Sequence, residues 1–203
     1  MGRVIAVSGP PGAGKSSLVQ ALAAVLPDST AIQFDHYERM TRQPIEEVRR
    51  WMDEGADIER LPVPGLGEAL AALKQGHAVL DPTANKQIEA AQNILFETQF
   101  GRAHSPTGRH VDFLAWIDTP LDIALARKIR QFARELDSRD PAEAAAFGDW
   151  LSAYLDNYLG VVGNLLRFQR DKVAAQADIV VDGLLPPETQ AREIGRAVAA
   201  RFA

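Results

Sequence analysis

Cysteine is absent from the 203-residue sequence, which excludes disulfide bonds, thiolate zinc sites and a cysteine nucleophile. Positive charge is not in excess: 27 acidic residues against 22 Lys and Arg give a net charge of −5, so a broad basic surface for nucleic acid is not expected. No apolar run approaches the ~20 residues that span a bilayer. The amino terminus lacks the apolar core and cleavage site of a signal peptide, and Ala6 stands where a myristoylation motif requires Ser or Thr. These absences predict a cytoplasmic globular protein with no nucleic-acid or membrane partner.

The composition is that of an ordinary folded domain. Hydrophobic residues make up 46% and charged residues 24% of the sequence, which excludes disordered and collagen-like chains. No internal repeat or linker interrupts it, so residues 1–203 are expected to form one domain. The four histidines show no metal-ligand spacing, and no zinc site is expected.

Short apolar strands alternate with helical segments over most of the sequence. The predicted strands are Arg3–Ser8, Ala31–Phe34, His77–Leu80, Ile94–Glu97, Phe113–Ile117 and Ile179–Val181. The predicted helical segments are Lys15–Leu26, Pro44–Glu54, Glu68–Gln75, Leu121–Leu136, Ala142–Ala177 and Pro187–Phe202. Within the long Ala142–Ala177 segment, Gly160 and Gly163 indicate a packing contact or a kink. This alternation predicts a three-layer α/β fold in which a mainly parallel sheet of about five strands is covered on both faces.

The strongest motif is a glycine-rich turn between the first strand and the first helix. Gly9–Ser16 (GPPGAGKS) satisfies G-x-x-x-x-G-K-[ST], in which glycines let backbone amides converge on phosphate oxygens. Lys15 is expected to bridge the β- and γ-phosphates, and Ser16 offers its hydroxyl to Mg²⁺. The predicted nucleotide-binding residues are Gly9, Pro10, Pro11, Gly12, Ala13, Gly14, Lys15, Ser16 and Ser17.

Four acidic residues lie at or just past the ends of predicted strands, at the sheet edge where ligands bind in doubly wound folds. Asp35 is interpreted as a general base for an acceptor hydroxyl, with a helix cap or turn residue as the alternative. Glu97 is interpreted as a residue that holds Mg²⁺. Asp118 is expected to cap the helix that begins near Pro120. For Asp81 a functional role and a turn role are both left as alternatives, since Asp-Pro is also a turn signal.

Two basic stretches allow a functional and a structural interpretation each. The stretch from Thr98 to Val111 contains Arg102, His104, Arg109 and His110, which either grip an acceptor or belong to a solvated loop. The helix from Leu121 carries Arg127, Lys128, Arg130 and Arg134. Its arginines either reach the phosphate during transfer or form a solvated helix face.

Together these segments resemble the uridine kinase-like branch of P-loop small-molecule kinases, which includes phosphoribulokinase- and pantothenate kinase-like enzymes. The resemblance rests on Val4–Leu22, Phe34–Tyr37, Phe96–Glu97 and Ile117–Arg130. It implies a P-loop NTPase fold that uses ATP and Mg²⁺, with a lid and helical insertion around residues 127–177. It implies that Lys15, Asp35, Arg127 and Arg130 are catalytic and that Ser16 and Glu97 hold the metal.

The expected activity is ATP- and Mg²⁺-dependent transfer of the γ-phosphoryl group to a hydroxyl of a small polar metabolite, a nucleoside by resemblance. The alternatives are a nucleotide kinase with a phosphate acceptor and a non-catalytic ATP-binding regulatory module. A GTPase is disfavoured because Asn85-Lys86-Gln87-Ile88 lacks the final Asp of N-K-x-D. The sequence does not identify the acceptor, and it leaves both a monomer and a homodimer possible.

Overall fold

The fold is organised around the first strand, whose residues are almost all buried. The computed structural model describes residues 1–40, 45–55, 57–135 and 141–203. Seven strands occur in these ranges: β1 (Arg3–Ser8), β2 (Ser29–Gln33), β3 (Val79–Asp81), β4 (Lys86–Ile88), β5 (Asn93–Thr98), β6 (Val111–Asp118) and β7 (Ile179–Asp182). Five of them form one parallel sheet in the order β2-β5-β1-β6-β7. β3 and β4 pair separately as an antiparallel hairpin.

Helices cover the sheet. The described helices are α1 (Lys15–Val25), α2 (Ile45–Asp53), α3 (Leu66–Lys74), α4 (Ser105–Gly108), α5 (Leu121–Glu135), α6 (Pro141–Asn157), α7 (Gly163–Ala174) and α8 (Pro187–Arg201). A π-helical turn over Tyr158–Val162 joins α6 to α7. Across the described residues, no helix combines the length and the apolar character needed to cross a membrane.

The sheet has a hydrophobic core on each face because side chains alternate along β1. Val4 and Ala6 pack with α3 and the carboxyl-terminal end of α7, whereas Ile5 and Val7 pack with α1 and α8. Burial on both faces explains why β1 reads as a continuous apolar run. The predicted three-layer α/β fold with a parallel five-stranded sheet is confirmed.

Several predicted boundaries differ from the structure. β2 ends at Gln33, and Phe34 begins a 3-10 turn. The predicted strand His77–Leu80 is the shorter β3, which belongs to the hairpin and not to the sheet, and its partner β4 was not predicted. The segment expected to be one long helical region is divided by the π-helical turn, which contains Gly160. Pro44 and Leu136, the predicted ends of two helices, lie outside the described residues.

Candidate active site

The phosphate loop has a backbone that only glycine adopts readily. Gly12 has φ +83° and Gly14 has φ +98°, both in the left-handed region. A Cβ on Gly12 would lie 2.0 Å from the carbonyl oxygen of Ala124, so α5 packs directly on the loop. Gly14 caps α1 without a side-chain hydrogen bond, and no acidic residue lies in the first turn of that helix. The amino-terminal amides of α1 are therefore oriented for an anion.

Lys15 folds back over the loop that precedes it. Its Nζ donates to the carbonyl oxygens of Gly9 at 3.1 Å and Pro10 at 3.3 Å, and the residue is only 8% exposed. Burial lowers the pKa of the Lys15 ammonium below its ordinary value, and the carboxylates of Glu97 and Asp35 oppose this shift without cancelling it. The Lys15 ammonium and the two carboxylates are therefore close enough for their charges to interact.

Ser16 and Glu97 meet across the top of the sheet. The Ser16 hydroxyl donates to Oε1 of Glu97 at 2.9 Å, although the residues are 81 positions apart. Glu97 lies near the end of β5, in register with Val7 of β1. Its other carboxylate oxygen, Oε2, is buried and has no hydrogen-bond partner in the described part of the chain. A hydroxyl beside a carboxylate with an unused oxygen is a donor set suited to Mg²⁺.

A metal at this position would need further oxygen ligands from outside the protein. No group of three or more His, Cys, Asp or Glu side chains able to hold a metal occurs among the described residues. Mg²⁺ that accompanies a nucleotide requires only one or two protein oxygens, because phosphates and water complete its octahedron. Ser16 and Glu97 fit that requirement.

A cleft of about 380 Å³ opens beside the phosphate loop, between Pro11 and α7. Asp35 lies exposed on its wall, in the 3-10 turn after β2. The other walls are largely apolar, with polar groups that include Glu38, Gln99 and Gln169; the main apolar side chains are Phe34, Met40, Trp51, Phe100 and Leu166. Gln169 donates from Nε2 to the Gln99 carbonyl oxygen at 2.7 Å, which ties α7 to the segment after β5.

The turn that carries Asp35 is anchored by the β3–β4 hairpin. Nδ1 of His36 lies 2.6 Å from Oδ2 of Asp81, and the Thr83 hydroxyl donates to the His36 carbonyl oxygen at 2.7 Å. Burial would raise the pKa of Asp81, but hydrogen bonds from the Ala84 and Thr83 amides and from His36 lower it below its ordinary value. Asp81 therefore anchors the turn that carries His36, and it lies on the β3–β4 hairpin and not on the main sheet.

Asp118 makes an ion pair and not the expected helix cap. Its carboxylate lies 2.8 Å from Nη2 of Arg170 on α7. In the first turn of α5 the Ala124 amide donates to the Pro120 carbonyl oxygen at 2.9 Å and not to Asp118. This pair connects the end of β6 to the helix that walls the cleft.

The basic stretch after Glu97 has structural partners. Arg102 donates to the Asp178 carboxylate and the Gln176 carbonyl oxygen, both at 2.6 Å. His104 is fully buried, lies 2.8 Å from the Thr107 hydroxyl and packs edge-on against Phe34; its pKa is lowered by burial. Neither residue lines the cleft. The structural interpretation of this stretch is therefore favoured, and the predicted loop also contains the single turn α4.

On α5 the residue facing the phosphate loop is a lysine that the sequence prediction did not select. Arg127 turns away and donates to the Gly183 carbonyl oxygen at 2.9 Å, while Arg130 is exposed. Lys128 borders a small gap shared with Pro11 and Ala124. It lies four residues after Ala124, which touches Gly12, and no sequence signal could have identified it because that contact is known only from the packing of α5 on the loop.

Comparison with known proteins agrees with a P-loop fold. Residues 4–129, more than half of the chain, match the model of the family described as 50S ribosome-binding GTPase. Uridine-cytidine kinase C from Dictyostelium discoideum is 48% identical over 44 residues, which are 22% of this chain. The match covers only 10% of the length of that curated relative.

Two solved structures with similar folds are a kinase and a protein described as a possible kinase. A "possible uridine kinase" from Bacillus stearothermophilus superposes with a TM-score of 0.55 at 15% identity, over 90% of each chain. Shikimate kinase from Acinetobacter baumannii superposes with a TM-score of 0.51 at 18% identity, over 98% of this chain and 94% of its own. At these identities the likeness concerns the fold, which is that of P-loop kinases. The predicted resemblance to uridine kinase-like proteins is confirmed at that level.

Proposed function

We propose that this chain, which belongs to the P-loop family described as 50S ribosome-binding GTPase, is an ATP- and Mg²⁺-dependent kinase that phosphorylates a hydroxyl of a small polar metabolite. The observation that carries the proposal is the position of Asp35. It lies on the wall of a cleft beside the phosphate loop and within the electrostatic field of Lys15. A nucleotide switch needs no carboxylate at that place, whereas a kinase with an alcohol acceptor does.

The donor is held by the phosphate loop. The backbone N–H groups of the Gly9–Ser17 loop, other than at Pro10 and Pro11, bind its phosphates, and Lys15 exchanges its contacts with the Gly9 and Pro10 carbonyls for contacts with the β- and γ-phosphates. Ser16 and Glu97 hold Mg²⁺, which neutralises phosphate charge when it is bound. These roles use polar groups that the chain has already gathered at one end of β1 and β5.

Asp35 accepts the proton that the acceptor must lose. The acceptor oxygen attacks the γ-phosphorus, its O–H proton passes to the Asp35 carboxylate, and the bond from that phosphorus to the β-phosphate oxygen breaks. The products are ADP and a phosphorylated metabolite. Because most of the cleft wall is apolar, an acceptor that fills it would displace water, which would otherwise compete as the acceptor.

The composition of the cleft supports a hydroxyl acceptor over a phosphate acceptor. Among the described residues that line it, none is Lys or Arg. A nucleotide kinase would need cations for the acceptor's own phosphate, and Arg102, one candidate, is paired with Asp178. Apolar and aromatic walls with a few amide and carboxylate groups suit a nucleoside. The short match to a uridine-cytidine kinase supports the same acceptor class.

The choice of ATP over GTP rests on the hairpin. The sequence closest to the guanine-binding motif is Asn85-Lys86-Gln87-Ile88. Its last residue, Ile88, is buried in the β3–β4 ladder, whereas the motif has at that position an aspartate that binds guanine.

We place the reaction in the cytoplasm, within a single domain whose lid and helical insertion cover residues around 127–177. A homodimer stays compatible with this proposal.

The test is a panel of acceptors assayed for ADP release. Neutral nucleosides, nucleoside monophosphates, shikimate and sugars are each offered with ATP or GTP as donor, and Lys15→Ala serves as the inactive control. We expect turnover with ATP and a neutral hydroxyl compound. Turnover with nucleoside monophosphates alone would favour the nucleotide kinase. GTP hydrolysis without any acceptor would favour a GTPase and overturn the proposal, as would nucleotide binding with no turnover of any compound.

A further inference from the structure

We propose that Lys128 is a further catalytic residue, whose ammonium contacts the phosphoryl group during transfer; the inference rests on the proposed kinase function. The predicted catalytic cations of α5 were Arg127 and Arg130. The geometry points to the lysine between them, for reasons of backbone packing, side-chain direction and charge.

The first reason is that α5 is held against the phosphate loop at its amino-terminal turn. A Cβ on Gly12 would lie only 2.0 Å from the Ala124 carbonyl oxygen, which is too close for any side chain. Ala124 itself is buried. Because this contact is between two backbones, it fixes which face of α5 points at the donor site.

The second reason is the helical repeat. Residues four apart lie on the same helix face, so Lys128 projects from the face that Ala124 presents to the loop. In agreement, Lys128 borders a small gap together with Pro11 of the phosphate loop and with Tyr154 and Tyr158. Arg127 donates to the Gly183 carbonyl oxygen and Arg130 is exposed, so neither shares this direction.

The third reason is that Lys128 contacts neutral groups within the described part of the chain. Its Nζ lies 4.6 Å from the centroid of the Phe132 ring and 3.4 Å from Oε1 of Gln131. The same ammonium lowers the pKa of Lys15, which places the two positive charges within each other's field beside the phosphate loop. The two ammonium groups repel each other, although the Glu97 and Asp35 carboxylates offset this at Lys15, and a bound triphosphate would lower the repulsion further.

A lysine at this place acts on charge that develops in transfer. The phosphate loop and Lys15 already bind the donor in its ground state, whereas Lys128 approaches from α5, beside a gap that shares Pro11, Val162 and Leu166 with the cleft. Its contribution is therefore expected in kcat more than in donor affinity. In the free protein the ammonium lies over the Phe132 ring, one turn further along α5, so it would move from that ring towards the gap when the donor is bound.

The experiment compares four variants of the full chain with the wild type: Lys128→Met, Lys128→Arg, Phe132→Leu and Arg134→Met. Arg134 is an exposed cation on the same helix and serves as the matched charge control. We expect Lys128→Met to lower kcat about 10²-fold, in the range for loss of one transition-state charge contact, with the Kd for Mg·ATP changed less than about threefold. Lys128→Arg should restore part of kcat, and Arg134→Met should match the wild type.

The outcomes separate this inference from the proposed function. An active wild type with an equally active Lys128→Met variant overturns the role of Lys128 and leaves the kinase intact. Equal losses of kcat and of unfolding temperature in Lys128→Met and Phe132→Leu would also overturn it, because the lysine would then only stabilise α5. A wild type that neither binds Mg·ATP nor turns over overturns the proposed function itself.

Discussion

The Ser16 hydroxyl donates to the Glu97 carboxylate at 2.9 Å and so joins the first turn of α1 to the end of β5. This contact connects the phosphate loop to the carboxylate best placed to hold a metal, whose second oxygen is buried without a hydrogen-bond partner in the described part of the chain. A Mg²⁺ ion bound here would have the Ser16 hydroxyl and the Glu97 carboxylate as its protein partners. The contact therefore marks the metal position in the proposed reaction.

Glu97→Gln keeps the volume of the side chain and removes its charge. We expect the Mg²⁺ concentration for half-maximal activity to rise by at least about 10-fold, because loss of an outer partner of a metal already costs that much affinity. A titration of activity against Mg²⁺ at fixed ATP measures this, with the exposed Glu193→Gln on α8 as the control. An unaltered titration would return Glu97 to a purely structural role.

Lys15→Met is expected to remove nucleotide binding without weakening the free protein. The buried ammonium has a lowered pKa, so its protonated form is disfavoured by folding. Between that lowered pKa and the ordinary value the unfolded chain binds more protons, and the free energy of unfolding rises with pH. Denaturant titrations from neutral to alkaline pH should show this rise in the wild type and a smaller rise in Lys15→Met.

Lys74→Met is the control for that substitution. Lys74 donates to both oxygens of Asp112, at 2.8 and 2.7 Å, so its removal leaves a carboxylate without its cation. Lys74→Met should lower the free energy of unfolding and preserve nucleotide binding. A Lys15→Met protein that is as destabilised as Lys74→Met would contradict the assignment of Lys15 to phosphate.

Asp81→Asn tests the anchoring of the Asp35 turn. The substitution removes the charge that pairs with His36 at 2.6 Å and keeps an oxygen for the Thr83 and Ala84 amides. We expect a several-fold loss of kcat and a lower unfolding temperature. Because the pKa of Asp81 is lowered in the fold, its stabilisation is present above the ordinary pKa and is lost as pH falls through the lowered one. The two proteins should therefore converge in stability at acid pH, and a constant difference would refute the pair's role.

Gly12→Ala and Gly14→Ala separate backbone strain from close packing. Both residues have positive φ, which costs a non-glycine residue about 1–2 kcal/mol. Only Gly12 also meets a neighbour, the Ala124 carbonyl oxygen, whereas a Cβ on Gly14 meets nothing within 4 Å. Chemical denaturation should show a clearly larger loss for Gly12→Ala. Equal losses would mean that α5 yields to the added methyl group.

Local patterns predicted the elements that carry the donor site. β1 was predicted with its observed bounds and α1 to within one residue, because a doubly buried strand, a glycine turn and a helix ending before Pro27 are all local signals. Glu97 was predicted at a strand end, but its position beside Ser16 depends on β5 lying next to β1, and that strand order was not predicted. The hairpin was missed because Lys86-Gln87-Ile88 is short and largely polar, and only its partner β3 makes it a strand.

Side-chain partners distant in sequence account for the remaining differences. The pairing of Arg102 with Asp178 spans 76 positions, and that of Asp118 with Arg170 spans 52. No local pattern in the sequence encodes either pair. The choice among Arg127, Lys128 and Arg130 depends on which turn of α5 touches Gly12, a property of packing between two segments.

The most direct test of the kinase proposal is the kcat of Asp35→Asn with the best hydroxyl acceptor from the panel. Asparagine keeps the size of the side chain but cannot accept the proton, so kcat should fall by about 10²–10⁴-fold. The Kd for Mg·ATP and the unfolding temperature should stay close to wild type, and the exposed Asp156→Asn should keep full activity. An Asp35→Asn protein that is folded and fully active would contradict general-base transfer to a hydroxyl.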